Sequence, residues 1–142
     1  LELGCGKGDD AVWLARQGWA VLAVDISATA LGYATENAKR AGVAEHITFE
    51  RHDLARTFPV GRFDLVTASF FHSPVLFPRA EVFQRAAATV TSGGHVLITD
   101  HGSRAPWSWS APETRYPTPD ETLASLQLTT AEWQRVRKEL QS

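Results

Sequence analysis

One cysteine, Cys5, stands alone in 142 residues, so no internal disulfide can form. That absence excludes a disulfide-built scaffold and makes the reducing cytoplasm the expected compartment. No stretch approaches the roughly 20 apolar residues of a membrane span, and no basic-then-apolar leader opens the sequence, so no membrane association is expected. Charge of one sign is missing too: 14 Lys and Arg against 16 Asp and Glu leave a net charge of -2. The cations are scattered, which gives a nucleic acid no basic patch, and none is expected as a partner. Repeats and low-complexity tracts are lacking. The five histidines and the cysteine show no ligand spacing such as H-E-x-x-H, so no metal site is expected. What is present is ordinary globular material, 44% hydrophobic and 21% charged, enough for one core.

Apolar patterning alternates strands with helices along residues 1–101. Leu1–Leu3 reads as the end of a strand, cut at its beginning, that runs into Gly4-Cys5-Gly6-Lys7-Gly8. Asp9 or Asp10 is expected to cap a helix over Ala11–Gln17, which Gly18 stops. Ala20–Val24 is continuously apolar and ends at Asp25, as a strand buried on both faces of a parallel sheet would. Ser27 caps the next helix, whose Leu31, Ala34, Ala38 and Ala41 share one face before Gly42 closes it. Ile47–Arg51 and Phe63–Phe70 follow as the third and fourth strands. His72–Pro78 carries two prolines and is a loop, Arg79–Val90 is a helix, and Gly93-Gly94 leads into a fifth strand, His95–Thr99.

This order is that of a doubly wound, mostly parallel α/β sheet with helices on both faces. From Gly102 the composition turns to Pro, Ser, Trp and Thr, a loop in which Trp107 and Trp109 could form an aromatic lid or pack on the sheet edge. Thr118 or Asp120 caps a helix reaching about Leu126, and Trp133–Ser142 fits a helix or an edge strand equally. The expected organisation is a single domain over 1–142, with a core over 1–101 and a variable lid and C-terminal segment over 102–142.

Glycines at positions 4, 6 and 8 permit a sharp turn and let a ligand approach the main chain where a side chain would collide. A dinucleotide fingerprint, G-x-G-x-x-G, fails here because Asp9 or Ala11 occupies its last position; a P-loop fails for want of G-K-[ST]. The neighbouring charges say more. Glu2, Asp9 and Asp10 surround the place of a pyrophosphate, and like charges at such range repel by about 1 kcal/mol in water and ~4 kcal/mol at an effective dielectric of 20. A cationic ligand without phosphate suits them. Cys5 reads as a small turn-filling residue, since nothing near it supplies a base.

The run Leu1-Glu2-Leu3-Gly4-Cys5-Gly6-Lys7-Gly8 resembles the E/D-x-G-x-G-x-G first motif of Rossmann-like S-adenosylmethionine-dependent methyltransferases. The resemblance extends over residues 1–101 and looks closest to the small-molecule branch that includes the thiopurine and tellurite-resistance methyltransferases. It implies S-adenosylmethionine as cofactor, held by Glu2, Gly4, Gly6 and Gly8, by Asp25 with its neighbour Ile26 at the ribose, by Asp53 and Leu54 at the adenine, and by Ser69 and Phe70 beside the methionyl portion and substrate. Relatives carry further elements before the first motif and finish with an antiparallel strand pair, so the fold is expected to be truncated at both ends.

Methyl transfer to a small molecule is the function this implies. Alignment of nucleophile, methyl carbon and leaving sulfur is its main requirement. Where the acceptor needs deprotonation, His72 and then His101 are the candidate bases, each following a strand that ends on the ligand side. The N/D-P-P-F/Y motif of amino-methylating nucleic-acid enzymes is lacking; Ser69-Phe70-Phe71-His72 stands in its place. Two alternatives share the fold: an NAD(P)-dependent oxidoreductase, and a module that binds the cofactor without catalysis.

Overall fold

Short buried runs at period two and amphipathic stripes at period 3.6 resolve, in a computed structural model that describes residues 1–73, 76–103 and 115–139, into five strands and four α-helices. In chain order they are β1 (Glu2–Leu3), α1 (Asp9–Arg16), β2 (Val21–Asp25), α2 (Ala28–Arg40), a 3-10 turn (Ala44–His46), β3 (Ile47–Arg51), β4 (Phe63–Ser69), α3 (Arg79–Ala88), β5 (Val90–Thr99) and α4 (Pro119–Ser125). The strands form one sheet ordered β3-β2-β1-β4-β5, and every pairing is parallel. All five carboxyl ends therefore point the same way. The chain leaves β1 toward β2 on one side and returns through β4 on the other, so the order reverses between β1 and β4.

Two cores flank the sheet. On one face Ala11 and Ala15 of α1 and Ala38 of α2 pack on Val21, Ala23 and Ile47. On the other, Val82, Phe83 and Ala86 of α3 and Leu126 after α4 pack on Leu3, Val24, Val66 and Ala68. Ala23 and Val24, adjacent on β2, are both 0% exposed, the two-sided burial expected of a continuously apolar strand. Phe83, fully buried, contributes about 1.5–3 kcal/mol relative to an exposed ring. The outer strand is less covered: Leu97 of β5 remains 56% exposed.

Helices α1 and α2 both stop through left-handed glycines. Gly18 donates to the Ala15 carbonyl and Trp19 to that of Leu14; Gly42 donates to Lys39 and Val43 to Ala38. Ser27 caps α2 by accepting from the Ala30 amide at 3.1 Å, and Thr118 with Glu121 forms a reciprocal capping box on α4.

The structure corrects several boundaries. Asp9 and Asp10 do not cap α1; Gly8, left-handed, occupies the cap position without a side-chain bond, and both acids sit in the first turn where the helix dipole favours them. α3 ends at Ala88, two residues short of the expected Val90, because Arg62 draws the Ala88 and Val90 carbonyls (3.2 and 3.1 Å) and Phe63 donates to that of Thr89. β5 accordingly begins at Val90, and its register on β4 jumps from Phe63↔Val90 to Leu65↔His95, the excess accommodated around left-handed Gly93. Residues 133–139 form neither helix nor strand, and the expected lid residues Trp107 and Trp109 lie outside the described residues.

Candidate cofactor and active site

Parallel pairing gathers the predicted site residues at one edge. Gly4–Gly8 follows β1, Asp25 ends β2 with Ile26 next, Asp53 and Leu54 follow β3, Ser69 ends β4 with Phe70 next, and His101 stands two residues beyond β5. This is where open α/β sheets bind ligands.

The three glycines of the turn all have positive φ, but they serve different neighbours. A Cβ on Gly4 would lie 2.6 Å from the Phe71 ring, and one on Gly8 would lie 2.9 Å from the Ala34 Cβ of α2. Those two admit protein. A Cβ on Gly6 would meet nothing within 4 Å, so of the three it alone borders open space. Phe71, which sequence reasoning passed over, locks the turn to the exit of β4 through ring contacts with Phe77 (5.4 Å) and Phe83 (5.8 Å).

Asp25 ties the turn to β2. Its Oδ2 accepts the Gly6 amide and its Oδ1 the Ser27 amide, each at 2.9 Å. A carboxylate has about four acceptor sites, so two bonds leave capacity for a further donor. Asp53 is built alike: Oδ1 accepts the Ala55 amide at 3.2 Å, and Arg56 Nε lies 3.5 Å from Oδ2. Leu54 is buried in the α3-side core, so its side chain serves packing.

Glu2 is the unusual group. It is 4% exposed and its Oε2 has no hydrogen-bond partner; Thr67, opposite it on β4, holds the other unpartnered buried side-chain atom among the described residues. Burial raises its carboxyl to about 8, and Asp10, Asp25 and Asp9 push the same way. Beside it Cys5 is buried with its thiol pushed up to about 12 by desolvation and by Glu2 and Asp25, which makes it a packing residue and not a nucleophile.

Across the switch point lies a second cluster. Arg79 Nη2 bonds both oxygens of Asp100 at 2.6 and 2.7 Å, and its Nε bonds the Phe71 carbonyl at 2.9 Å. Thr122 Oγ1 of α4 donates to Asp100 Oδ2 at 3.2 Å, and His72 Nε2 stands 3.4 Å from Oδ1. Tyr116 lies 5.2 Å from the rings of both His72 and His101, and Phe70 stacks 4.5 Å from His101. Phe70, 52% exposed, holds a left-handed φ of 53°, fixed by its amide to the Thr99 carbonyl at 2.7 Å. Burial lowers the pKa of His72 from its ordinary value; Asp100 opposes, while Arg79 and His101 assist. The imidazole is therefore neutral at neutral pH and able to take a proton. Sequence reasoning named His72 and His101 but missed Asp100, Arg79, Tyr116 and Thr122, which come from separate elements. Among the described residues no group of three or more His, Cys, Asp or Glu could hold a metal ion, and no helix is long and apolar enough to cross a membrane.

Comparison with known proteins gives this edge its class. Residues 1–94 match the methyltransferase domain family, and the chain belongs to it. Over 99 residues it is 33% identical to the ubiquinone biosynthesis O-methyltransferase of Pectobacterium carotovorum, covering 70% of this chain and 41% of that protein. Over 47 residues it is 47% identical to ribosomal RNA small subunit methyltransferase C of Alcanivorax borkumensis, covering 33% of this chain and 14% of that protein. Among solved structures, a methyltransferase of Geobacter sulfurreducens in complex with S-adenosyl-L-homocysteine superposes with TM-score 0.58 at 24% identity, over 68% of this chain and 39% of that one; the likeness is one of fold. The chain spans less than half the length of the curated relatives it matches.

Proposed function

We propose that the protein is an S-adenosylmethionine-dependent methyltransferase acting on a small molecule, and that residues 1–142 are one domain whose core, 1–101, binds the cofactor. The observation that carries this is the acid-lined opening at Gly6: a buried Glu2 carboxylate oxygen without a partner, beside the one glycine of the turn that faces open space, with Asp25 fixed at its rim. Burial keeps the unpartnered Glu2 carboxyl a neutral acid up to about pH 8, and it ionises at small cost only where a cation meets it; the cofactor carries an ammonium. Glu2 would receive that ammonium, the Gly4–Gly8 backbone would admit the methionyl chain, Asp25 with Ile26 would take the ribose diol, and Asp53 with the Leu54 amide would take the adenine. Ser69 and Phe70 would border the transferred methyl.

The cofactor supplies an electrophilic methyl group on a sulfonium, and this chain's residues have to place the acceptor and manage its proton. His72, with His101 beside it, would accept the proton of a hydroxyl or thiol acceptor. The similarity to an O-methyltransferase of ubiquinone biosynthesis supports a small acceptor, and a net charge of -2 without a basic patch argues against RNA. The single reduced, buried Cys5 supports a cytoplasmic location.

Calorimetric titration with S-adenosylmethionine, S-adenosylhomocysteine and NAD tests the reading. Both adenosyl ligands are expected to bind and NAD not to; NAD binding without them would overturn it. A turnover screen of phenolic hydroxyls and thiols against a ribosomal RNA fragment then separates the acceptor classes.

A further inference from the structure

The cluster across the switch point contains more order than a proton acceptor alone requires. Asp100 is held on three sides: Arg79 grips both its oxygens, Thr122 donates to Oδ2, and His72 Nε2 faces Oδ1. Arg79 is itself fixed by its bond to the Phe71 carbonyl and by its guanidinium over the Phe83 ring at 4.4 Å. The side chains are mostly buried, with 25% of His72 and 13% of Asp100 exposed. A carboxylate immobilised in this way accepts only. His72 Nε2 lies within ion-pair reach of it at 3.4 Å without meeting hydrogen-bond geometry, and the carboxylate charge favours the hydrogen on that nitrogen, which leaves the lone pair on the other.

We propose that Asp100 is a positioning residue which, locked by Arg79 and Thr122, holds His72 in the Nε2–H tautomer, so that Nδ1 is the atom that takes the acceptor's proton. This rests on the reading of His72 as the base. Among the described residues no hydrogen bond occupies His72 Nδ1. The rings of His101 and Tyr116 flank the imidazole at 6.1 and 5.2 Å and limit its rotation. In the proton step the acceptor O–H or S–H bond breaks, the proton moves to Nδ1, and Nε2–H stays on Asp100 as the ring becomes cationic. The guanidinium tunes that last state: it neutralises part of the Asp100 charge, so the imidazolium is stabilised enough to form and not so much that the base is protonated beforehand.

The groups facing His72 are Asp100, Arg79, His101 and Tyr116, from four separate segments. The test is two-bond proton–nitrogen NMR of the chain with 15N-labelled histidine, followed from acid to alkaline pH, with His72→Gln to assign the signal. The wild type is expected to show Nε2 protonated and Nδ1 bare once neutral. Asp100→Asn should abolish that preference and move the titration to lower pH. Arg79→Gln should move it the opposite way, because the carboxylate then acts on His72 alone. A neutral wild-type ring protonated on Nδ1, or a titration unmoved by both substitutions, overturns the proposal. Should Asp100→Asn fail to fold by circular dichroism, the tautomer of the neutral wild-type ring decides by itself. Binding of S-adenosylhomocysteine is measured on the same samples: its absence would sink the cofactor reading and leave the His72 result standing separately.

Discussion

The two halves of the strand-end edge are built from different materials. On the β1–β2–β3 side the opening is made of main chain: three left-handed glycines, and carboxylates that bond the amides of Gly6, Ser27 and Ala55. On the β4–β5 side it is made of side chains, with Arg79 of α3, Thr122 of α4 and His72 converging on Asp100 just after β5. Backbone architecture needs particular residues at fixed spacing, because other residues adopt the left-handed turn only at a cost. A side-chain cluster needs only that distant elements be packed in the right place.

If the comparison is sound, the largest loss of stability comes from the backbone half. Gly8→Val places a β-branched residue at φ 84° and a Cβ 2.9 Å from that of Ala34. The strain and overpacking together are expected to cost about 4 kcal/mol, read as a lower urea midpoint. A variant as stable as the wild type would show that the turn does not dictate its residues.

Next comes the buried acid. The folded-state pKa of Glu2 lies near 8, above its ordinary value of 4.5, so the folded state binds the proton more tightly than the unfolded one. Stability is then greatest below pH 4.5 with respect to this group and is lost as pH rises through 8. Glu2→Gln keeps the shape and removes the titration. It should match the wild type in acid and exceed it by on the order of 5 kcal/mol at pH 9 in urea unfolding. Parallel pH profiles would show that Glu2 is ionised at no such cost.

How far each half could be read from the sequence follows the same division. Gly4, Gly6, Gly8, Asp25 and Asp53 announce themselves because a turn or a strand end restricts them, and the alternation of β2, α2 and β3 follows from apolar period alone. The roles of the glycines were blurred: only the fold shows that Phe71 and Ala34 fill two of the three spaces. His72 and His101 were legible as polar residues after strands. Asp100 was not, since nothing in its spacing from His72, Arg79 or Thr122 marks a shared site. The early start of β5 was hidden because Val90 continues the apolar stripe of α3, and the deciding contact, Arg62 to two carbonyls, is tertiary.

A third effect falls on binding. Asp25→Ala removes the proposed acceptor for a ribose diol together with the anchor of the Gly6 and Ser27 amides. S-adenosylhomocysteine affinity should weaken by about 2 kcal/mol in calorimetry, and an unchanged affinity would remove Asp25 from the site.

The smallest stability effect sharpens the comparison most. Gly6 holds φ 53°, and a methyl group added there would meet nothing within 4 Å, so Gly6→Ala incurs only the left-handed penalty, about 1 kcal/mol. Its amide still reaches Asp25, and urea unfolding should show a shift far smaller than that of Gly8→Val. The methyl group would nevertheless stand in the one space the turn leaves for a ligand. A backbone-built cofactor opening therefore requires that this variant stay folded while losing most of its S-adenosylhomocysteine affinity. Were affinity preserved, the ligand would lie away from Gly6, and Glu2 would need another explanation for its unpartnered oxygen.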